Sequence, residues 1–512
     1  MRLPPFTEHT ELVLRGEFRR HPEARGIETG PLGAEFKVNG RPIAHRTEFA
    51  PGPFEVRFTV EPAAAAQGVL LSARLFGTGS TNFLAWLGRI TTGWPGANGL
   101  QRFRHQHKNR QLRLLRIETA EGETVFDFAH RDAPLAAAFV RRHVRLGLNV
   151  AGFLTADMGI GESARCMVRA ADAAGLPVAA IELKLPCKNP RGDDTLRMRL
   201  QEDNPHAVNV VHFDPPAGRD LDHHHPSLRR DKYNIGYWAW ELPEFPDDWV
   251  GHFQYFDEIW CPSEFARAAI AAKSPVPVMA MPHSVSFARP ADPPAALRAR
   301  FGLPPDLFLF LFLYDLNSYS ARKNPGAVLD AFRASGLASR GAALVIKTHN
   351  TAGNETDLAR LRTAVADLPG TTLIVDTFTH EDVYRLEAAC DCFVSLHRSE
   401  GFGFGIAEAM FLGKPVIATD WSATAEYLNA TNGCPVRAKT VILERSHGPY
   451  AKGQTWAEPD ANHAAEWMRL LASDRALCAR LGAAARATVE TSFAPEAIGA
   501  RYRHRLEAIA SW

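Results

Sequence analysis

His397-Arg-Ser-Glu400-Gly-Phe-Gly-Phe-Gly405-Ile-Ala-Glu408-Ala-Met-Phe-Leu-Gly413-Lys-Pro-Val-Ile-Ala418 joins an apolar run at 391–396 to a second one at 415–419. Short apolar runs of this kind read as buried strands, and the stretch 404–412 between them reads as a helix. A strand, a crossover helix and a strand imply a parallel sheet. In open parallel sheets, ligands bind beyond the carboxyl ends of the strands. The loop Ser399–Gly405 is therefore the first place to look for chemistry.

Working outward, the same alternation extends in both directions. Strand candidates at 307–314, 342–347 and 371–376 precede the quoted segment, with helical stretches at 325–334, 355–366 and 381–389. A proline-rich linker, 288–305, separates this set from an earlier one with strands expected at 145–151, 177–183, 207–213, 234–239, 257–261 and 276–281. Ala164, Val168, Ala171 and Ala174 mark the apolar face of a helix between the first two of these. The tail, 463–509, reads as helical. Residues 1 to about 143 differ: β-favouring runs at 54–60, 68–75, 111–119 and 124–128 alternate with Gly and Pro clusters, as in a sandwich-like all-β domain. The expected domains are thus 1–143, 144–300 and 301–490, with a last helix at 491–512.

Composition agrees with this partition. At 512 residues the chain has room for about three domains. With 46% hydrophobic and 22% charged residues it is an ordinary globular composition, which excludes extensive disorder. Lys and Arg number 58 and Asp and Glu 57, so no global charge favours nucleic acid. The longest apolar run, Leu307 to Leu313, falls far short of the roughly 18 residues that span a bilayer. Met1-Arg-Leu-Pro-Pro lacks the apolar stretch of a signal peptide. Seven cysteines, none in C-x-x-C spacing, read as reduced thiols in a cytoplasmic protein, with Cys390 and Cys392 in the core.

Within the quoted loop, glycines at 401, 403 and 405 let backbone approach a ligand closely. Glu400 ends the strand loop, and Glu408 sits on the early turns of the helix. A carboxylate pair there can accept hydrogen bonds from sugar and ribose hydroxyls. An acid near a helix start also suits the dipole, which explains Glu408 alone but not the whole arrangement. The loop after 307–314 carries Arg322-Lys323-Asn324-Pro325 just before a helix. Adjacent cations at a helix N-terminus oppose the dipole unless an anion such as phosphate sits there; solvated surface charges are the competing reading. Lys347 ends the next strand and adds charge or packing support. The turn Asp157-Met-Gly159-Ile-Gly161-Glu162 follows the first strand of the earlier set. It could face a diphosphate, but it lacks G-x-G-x-x-G spacing and its acids repel phosphate.

These residues resemble a known family. Ser399-Glu-Gly-Phe-Gly-Phe-Gly-Ile-Ala-Glu408 looks like the E-x7-E signature of the retaining GT-B glycosyltransferases of family 4, also described as glycosyl transferases group 1. Arg322-Lys-Asn-Pro looks like its donor-phosphate segment, Gly159–Arg165 like its N-terminal glycine loop and Pro282-His-Ser-Val285 like its interdomain segment. The resemblance spans about 145–510. It implies an α/β fold, the GT-B architecture of two Rossmann-like domains facing across a cleft, here preceded by the all-β domain. The donor would be a nucleotide-diphosphate sugar, held mostly by the second α/β domain. Glu408 would hold the ribose and Glu400 the donor sugar, while Lys323 and Arg322 neutralise the departing diphosphate. Backbone at Gly405 and Ile406 would approach the phosphates, and Phe378 would lie by the base. Ser399, Phe404, Lys347, Gly159 and Gly161 complete the expected donor site, and His212, at a strand end, would stand near the reacting sugar. A satisfied strand-end histidine is the other reading of His212. The family implies no metal and no cofactor beyond the donor, and a last helix that packs back on the first α/β domain.

One position departs: the Arg that the family often places six residues before the lysine is Asn317 here. Tyr237-Trp-Ala-Trp-Glu241-Leu-Pro, Trp260-Cys-Pro-Ser-Glu264 and Trp456-Ala-Glu-Pro-Asp460 look like a subset handling bacterial surface polysaccharides. Expected partners are therefore the nucleotide-sugar donor and a glycan or lipid-linked glycan acceptor, with no nucleic acid, in the cytoplasm or peripherally at the inner membrane face. Glu241 reads as a cleft contact or a loop cap, and His283 as packing support. Asp220-Leu-Asp222-His223-His-His225 could bind metal, but no second ligand group accompanies it. The cationic run Arg102–Arg113 with Arg116 reads as a strand with one solvated face; an anionic glycan or membrane face is the alternative. Two other functions stand beside the transferase: a nucleotide-sugar epimerase of the same fold, and a non-catalytic glycan-binding protein using Trp86, Trp94 and Phe103.

Overall fold

The computed structural model describes residues 2–3, 9–19, 32–48, 52–61, 69–77, 111–128, 146–230, 232–338 and 340–510. They separate into two compact units. One is drawn from Met1–Gly147, Pro205–Ala207 and His504–Trp512, the other from Leu148–Asn204 and Val208–Arg503.

The first unit is all-β among its described residues up to 128, and its last piece, from His504, is the end of an α-helix. Strands Thr10–Arg19, Gly52–Val60, Gln111–Thr119 and Thr124–Asp127 form one antiparallel sheet, and Arg2–Leu3, Leu32–Val38, Arg41–Glu48 and Val69–Gly77 form another. Leu12, Leu14, Phe54 and Val56 from one sheet and Ala34 and Phe36 from the other share a single buried core. Gly52–Val60 alternates buried and outward residues, the period of a strand with one wet face. Arg113 and Arg116 are exposed on their strand and pair with Glu17 and Glu118. The remainder of the expected cationic run, 102–110, and Trp86, Trp94 and Phe103 lie outside the described residues.

The second unit holds two six-stranded parallel sheets. Across the first the order is Val178–Glu182, Leu148–Gly152, Val208–His212, Tyr233–Tyr237, Glu258–Cys261, Val278–Ala280. Across the second it is Thr371–Ile374, Ala342–His349, Phe308–Asp315, Cys392–Ser395, Val416–Thr419, Cys434–Val436. Strand Phe308–Asp315 is buried along nearly its whole length, as expected when helices cover both faces. Strand Leu148–Gly152 lies between Val178–Glu182 and Val208–His212, and Phe308–Asp315 lies between Ala342–His349 and Cys392–Ser395. The strand order reverses there, opening a crevice at the carboxyl ends. The loops 153–163, 213–217, 316–324 and 397–403 leave the carboxyl ends of Leu148–Gly152, Val208–His212, Phe308–Asp315 and Cys392–Ser395.

Three features differ from the sequence reading. The expected linker 288–305 contains a helix, Pro294–Arg300, because Pro294 at its first position needs no N–H partner. The second sheet gains Cys434–Val436. A hairpin, Ala438–Ile442 with Thr455–Pro459, then precedes the helical tail. The tail itself is three helices, Ala461–Ser473, Arg475–Ser492 and Pro495–Ala510. The last of these packs on helix Gly159–Ala173: a Cβ on Gly499 would lie 2.0 Å from the Ala170 carbonyl, and Tyr502 stacks on Trp260. No helix among the described residues is long and apolar enough to cross a membrane.

Candidate functional site

A cleft of about 860 Å³ opens at the strand ends of both parallel sheets, and residues from both α/β halves line it. Its floor is set by the turn that the sequence singled out. Gly403 adopts φ 89°, a left-handed conformation that glycine tolerates without strain, and caps helix Phe404–Phe411. The Tyr427 hydroxyl pins this turn by donating to the Phe402 carbonyl at 2.7 Å. The amides of Gly405 and Ile406 lie in the first turn of that helix, where N–H groups have no intrahelical acceptor. Phe404 stacks on His283 at 4.5 Å.

Glu400 meets the cation pair directly. The Lys323 ammonium lies 2.5 Å from one carboxylate oxygen and the Arg322 guanidinium 3.0 Å from the other. Burial alone would raise the Glu400 pKa, but Lys323 and Arg322 together outweigh it and hold the carboxyl at about 2. The same burial lowers Lys323, against the pull of Glu400. Arg322 also donates to the Ser399 carbonyl at 2.9 Å and lies 3.8 Å from Glu241. The two cations end a short helical turn, Ser320–Lys323, instead of opening the next helix. At that end the peptide dipole favours them, which corrects the expected conflict.

Glu408 is half-buried in the cleft wall, and its carboxylate has no hydrogen-bond partner among the described residues. Burial, joined by repulsion from Glu162, raises its pKa, while Arg169 works against the rise. Lys347 lines the cleft with its ammonium 5.3 Å from the centre of the Phe378 ring, and burial lowers it to about 8. Gly159 lines the cleft as well.

Three expected site residues stand elsewhere. His212 is fully buried and absent from the cleft lining. Its ring stacks on Tyr237 at 4.4 Å and its Nδ1 lies 2.9 Å from the Ser163 hydroxyl. Burial holds its pKa well below the usual imidazole value. It is therefore a neutral packing histidine that positions Ser163 and Tyr237, which line the cleft in its place. Gly161 is a close-approach position: a Cβ there would lie 2.6 Å from the Phe153 carbonyl. Ser399 is buried, and its hydroxyl donates to the Glu241 carbonyl.

The sequence reading also missed cleft residues, and left Glu241 undecided. Glu241 is a cleft residue: its carboxylate accepts from the Tyr450 hydroxyl at 3.1 Å. Tyr450 comes from the loop of the hairpin, which carries no motif and gives no sequence signal. Tyr319, at φ 64°, and Asp214 also line the cleft. Asn317, in place of the absent arginine, is engaged by Asn354 at 2.8 Å.

Among the described residues, Glu162, Asp193 and His380 lie at metal-ligand spacing, with ligand atoms within 4.8 Å of one another. The Arg165 guanidinium sits among them, 2.8 Å from Glu162 and 3.2 Å from Asp193. A cation of the chain already fills the position an ion would take. In the 220–225 segment, Asp222 pairs with Arg229, and His225 accepts from the Lys184 amide at 2.9 Å.

Comparison with known proteins agrees with this geometry. Residues 296–488 match the family model described as Glycosyl transferases group 1. Among solved structures, Anabaena Alr3699/HepE in complex with UDP and glucose aligns at TM-score 0.51 and 15% identity, over 71% of this chain and 100% of that one. A glycosyltransferase from Rickettsia africae aligns at 0.52 and 14%, over 71% and 98%. Sucrose-phosphate synthase from Thermosynechococcus elongatus aligns at 0.52 and 15%, over 71% and 99%. At such identities the likeness is one of fold, the two-domain GT-B arrangement. No curated protein matches the chain.

Proposed function

We propose that the two α/β halves work as a retaining glycosyltransferase, moving a sugar from a nucleotide-diphosphate sugar to a glycan or lipid-linked glycan. The observation that carries this reading is the single cleft in which Glu400, Lys323 and Arg322 converge beside the unpartnered Glu408 and the helix start at Phe404. Residues 301–490 then form the donor side and 144–300 the acceptor side. The helix from 491 ties back to the acceptor side, and 1–143 is an accessory domain. The HepE structure contains UDP and glucose, which supports a UDP-type donor.

In this reading Glu408 accepts hydrogen bonds from the ribose. Gly405 and Ile406 amides, with Lys323 and Arg322, meet the diphosphate, so the cations of the chain take the role a metal would otherwise have. Breaking the anomeric C–O bond sends its electron pair to the nucleotide, and fixed cations stabilise that departure. The acceptor hydroxyl forms the new bond on the same face and gives its proton to the leaving phosphate oxygen. Glu400 is ionised and held by two cations, which suits hydroxyl binding better than nucleophilic attack. A deep cleft also keeps water from the donor. The aromatic motifs around 237–243 support a place in bacterial surface polysaccharide synthesis, on the cytoplasmic side.

The test is to incubate the protein with UDP-, GDP- and ADP-sugars and oligosaccharide acceptors and to follow anomeric protons by NMR. A glycoside of the donor's configuration, with released nucleoside diphosphate, is expected. An inverted product, or an epimerised donor without transfer, would overturn the reading.

A further inference from the structure

Asp214, Trp240, Glu241, Trp249, Tyr319 and Tyr450 form one wall of the cleft that the donor reading leaves unused. Their rings run in series. Tyr319 lies 5.5 Å from Tyr450, Tyr450 5.7 Å from Trp240, and Trp240 5.1 Å from Trp249. Tyr319 is 41% exposed, and Trp249 is half-buried, so both ends of the series offer ring surface. Tyr319 keeps this orientation at a conformational cost, with φ 64°. Its ring packs where a side chain on Gly448 would stand, only 2.2 Å from a Cβ there. A strained residue held in place at a cleft wall is a feature of binding sites.

Two carboxylates complete the wall. Asp214 follows strand Val208–His212 and is exposed into the cleft, and Glu241 sits beside Tyr450. The Arg322 guanidinium lies 3.8 Å from Glu241 but closer to Glu400, at 3.0 Å, and to the Ser399 carbonyl, while no basic side chain pairs with Asp214 among the described residues. Trp240 and Tyr450 are buried behind the outer rings, so the wall offers the ring surfaces of Tyr319 and Trp249 edged by hydrogen-bond acceptors of negative charge.

We propose that this wall binds the acceptor, and that the acceptor presents an uncharged sugar here: ring faces cover its C–H surface while Asp214 and Glu241 accept from its hydroxyls. This rests on the transferase reading and adds the chemical class of its acceptor. A phosphate or carboxylate on the terminal residue would face the like charges of Asp214 and Glu241, whose nearest cation, Arg322, is shared with Glu400, which is discrimination by repulsion.

The experiment uses the full chain, the nucleotide sugar that binds it, and a panel of neutral hexose trisaccharides, each paired with a version ending in a uronic acid. Transfer to a neutral member is expected, with kcat/KM at least about tenfold lower for its uronic-acid partner, the penalty of facing like charges. Asp214→Asn should raise acceptor KM about tenfold, the loss of a hydrogen bond to a charged group, and reduce the discrimination against the uronic acid. Trp249→Ala should raise acceptor KM too. The dissociation constant for the nucleoside diphosphate, measured by calorimetry, should stay within about twofold in both variants. Unchanged acceptor KM in both variants, preference for the anionic panel, or no transfer to any neutral member would overturn the proposal while nucleotide binding stands. Failure of every nucleotide to bind the unmodified chain would refute the transferase reading itself.

Discussion

Replacing Glu400 by Gln keeps the shape of the cleft floor but removes the charge that holds Lys323 and Arg322 together. The carboxyl titrates at about 2 in the fold against the ordinary 4.5, burial opposing the shift and the two cations driving it. A depressed carboxylate pKa stabilises the fold above the unfolded value and loses that stabilisation as pH falls through the folded one. Near neutrality this is worth roughly 3 kcal/mol for a shift of that size. Glu400→Gln should therefore lower the urea unfolding free energy by about that amount at pH 7, and the gap from wild type should narrow below about pH 4.5. The variant leaves two buried like charges side by side, so an added nucleoside diphosphate now supplies the missing anion. Thermal unfolding with and without the diphosphate should show a larger stabilisation in the variant than in wild type, although transfer is lost. Equal stability at pH 7, or a smaller ligand shift in the variant, would refute the reasoning.

Lys323→Ala should weaken binding of the nucleoside diphosphate by roughly tenfold or more while changing free nucleoside binding little, as calorimetry can show; equal losses would remove Lys323 from the phosphate. Glu408→Gln should weaken nucleotide binding by about tenfold through lost ribose contacts. Because burial raises the Glu408 pKa, the fold favours its protonated form, and that stabilisation is lost as pH rises; the variant should therefore unfold at a higher temperature than wild type in alkaline buffer. Gly499→Ala places a methyl 2.0 Å from the Ala170 carbonyl and should cost about 1–3 kcal/mol in chemical unfolding, with the helix crossing as its cause.

The fold was legible where period and punctuation coincided. The uninterrupted run 307–314 could only be a strand covered on both faces, and the loop 397–408 could only follow a strand and open a helix. The cation pair and the two glutamates were legible for the same reason: each sits where a parallel sheet exposes its strand ends. What pairs with what was not. The Lys323–Glu400 contact joins residues 77 positions apart in sequence, and Tyr450 reaches Glu241 from 209 positions away. Neither separation leaves a local pattern. His212 failed for a different reason. A strand-end histidine looks alike whether it faces the cleft or the core, and only the stacking of Tyr237 decides it. Asp214 and Tyr319 carry no motif, and their importance appears only once the aromatic wall closes around them.

The most direct measurement is the melting temperature of the unmodified chain across UDP-, GDP- and ADP-linked sugars. If the cleft clamps an activated sugar, at least one of these raises the melting temperature, the more so at higher concentration, and Lys323→Ala abolishes most of the rise. No shift with any of them, or a shift that Lys323→Ala leaves intact, would contradict the account.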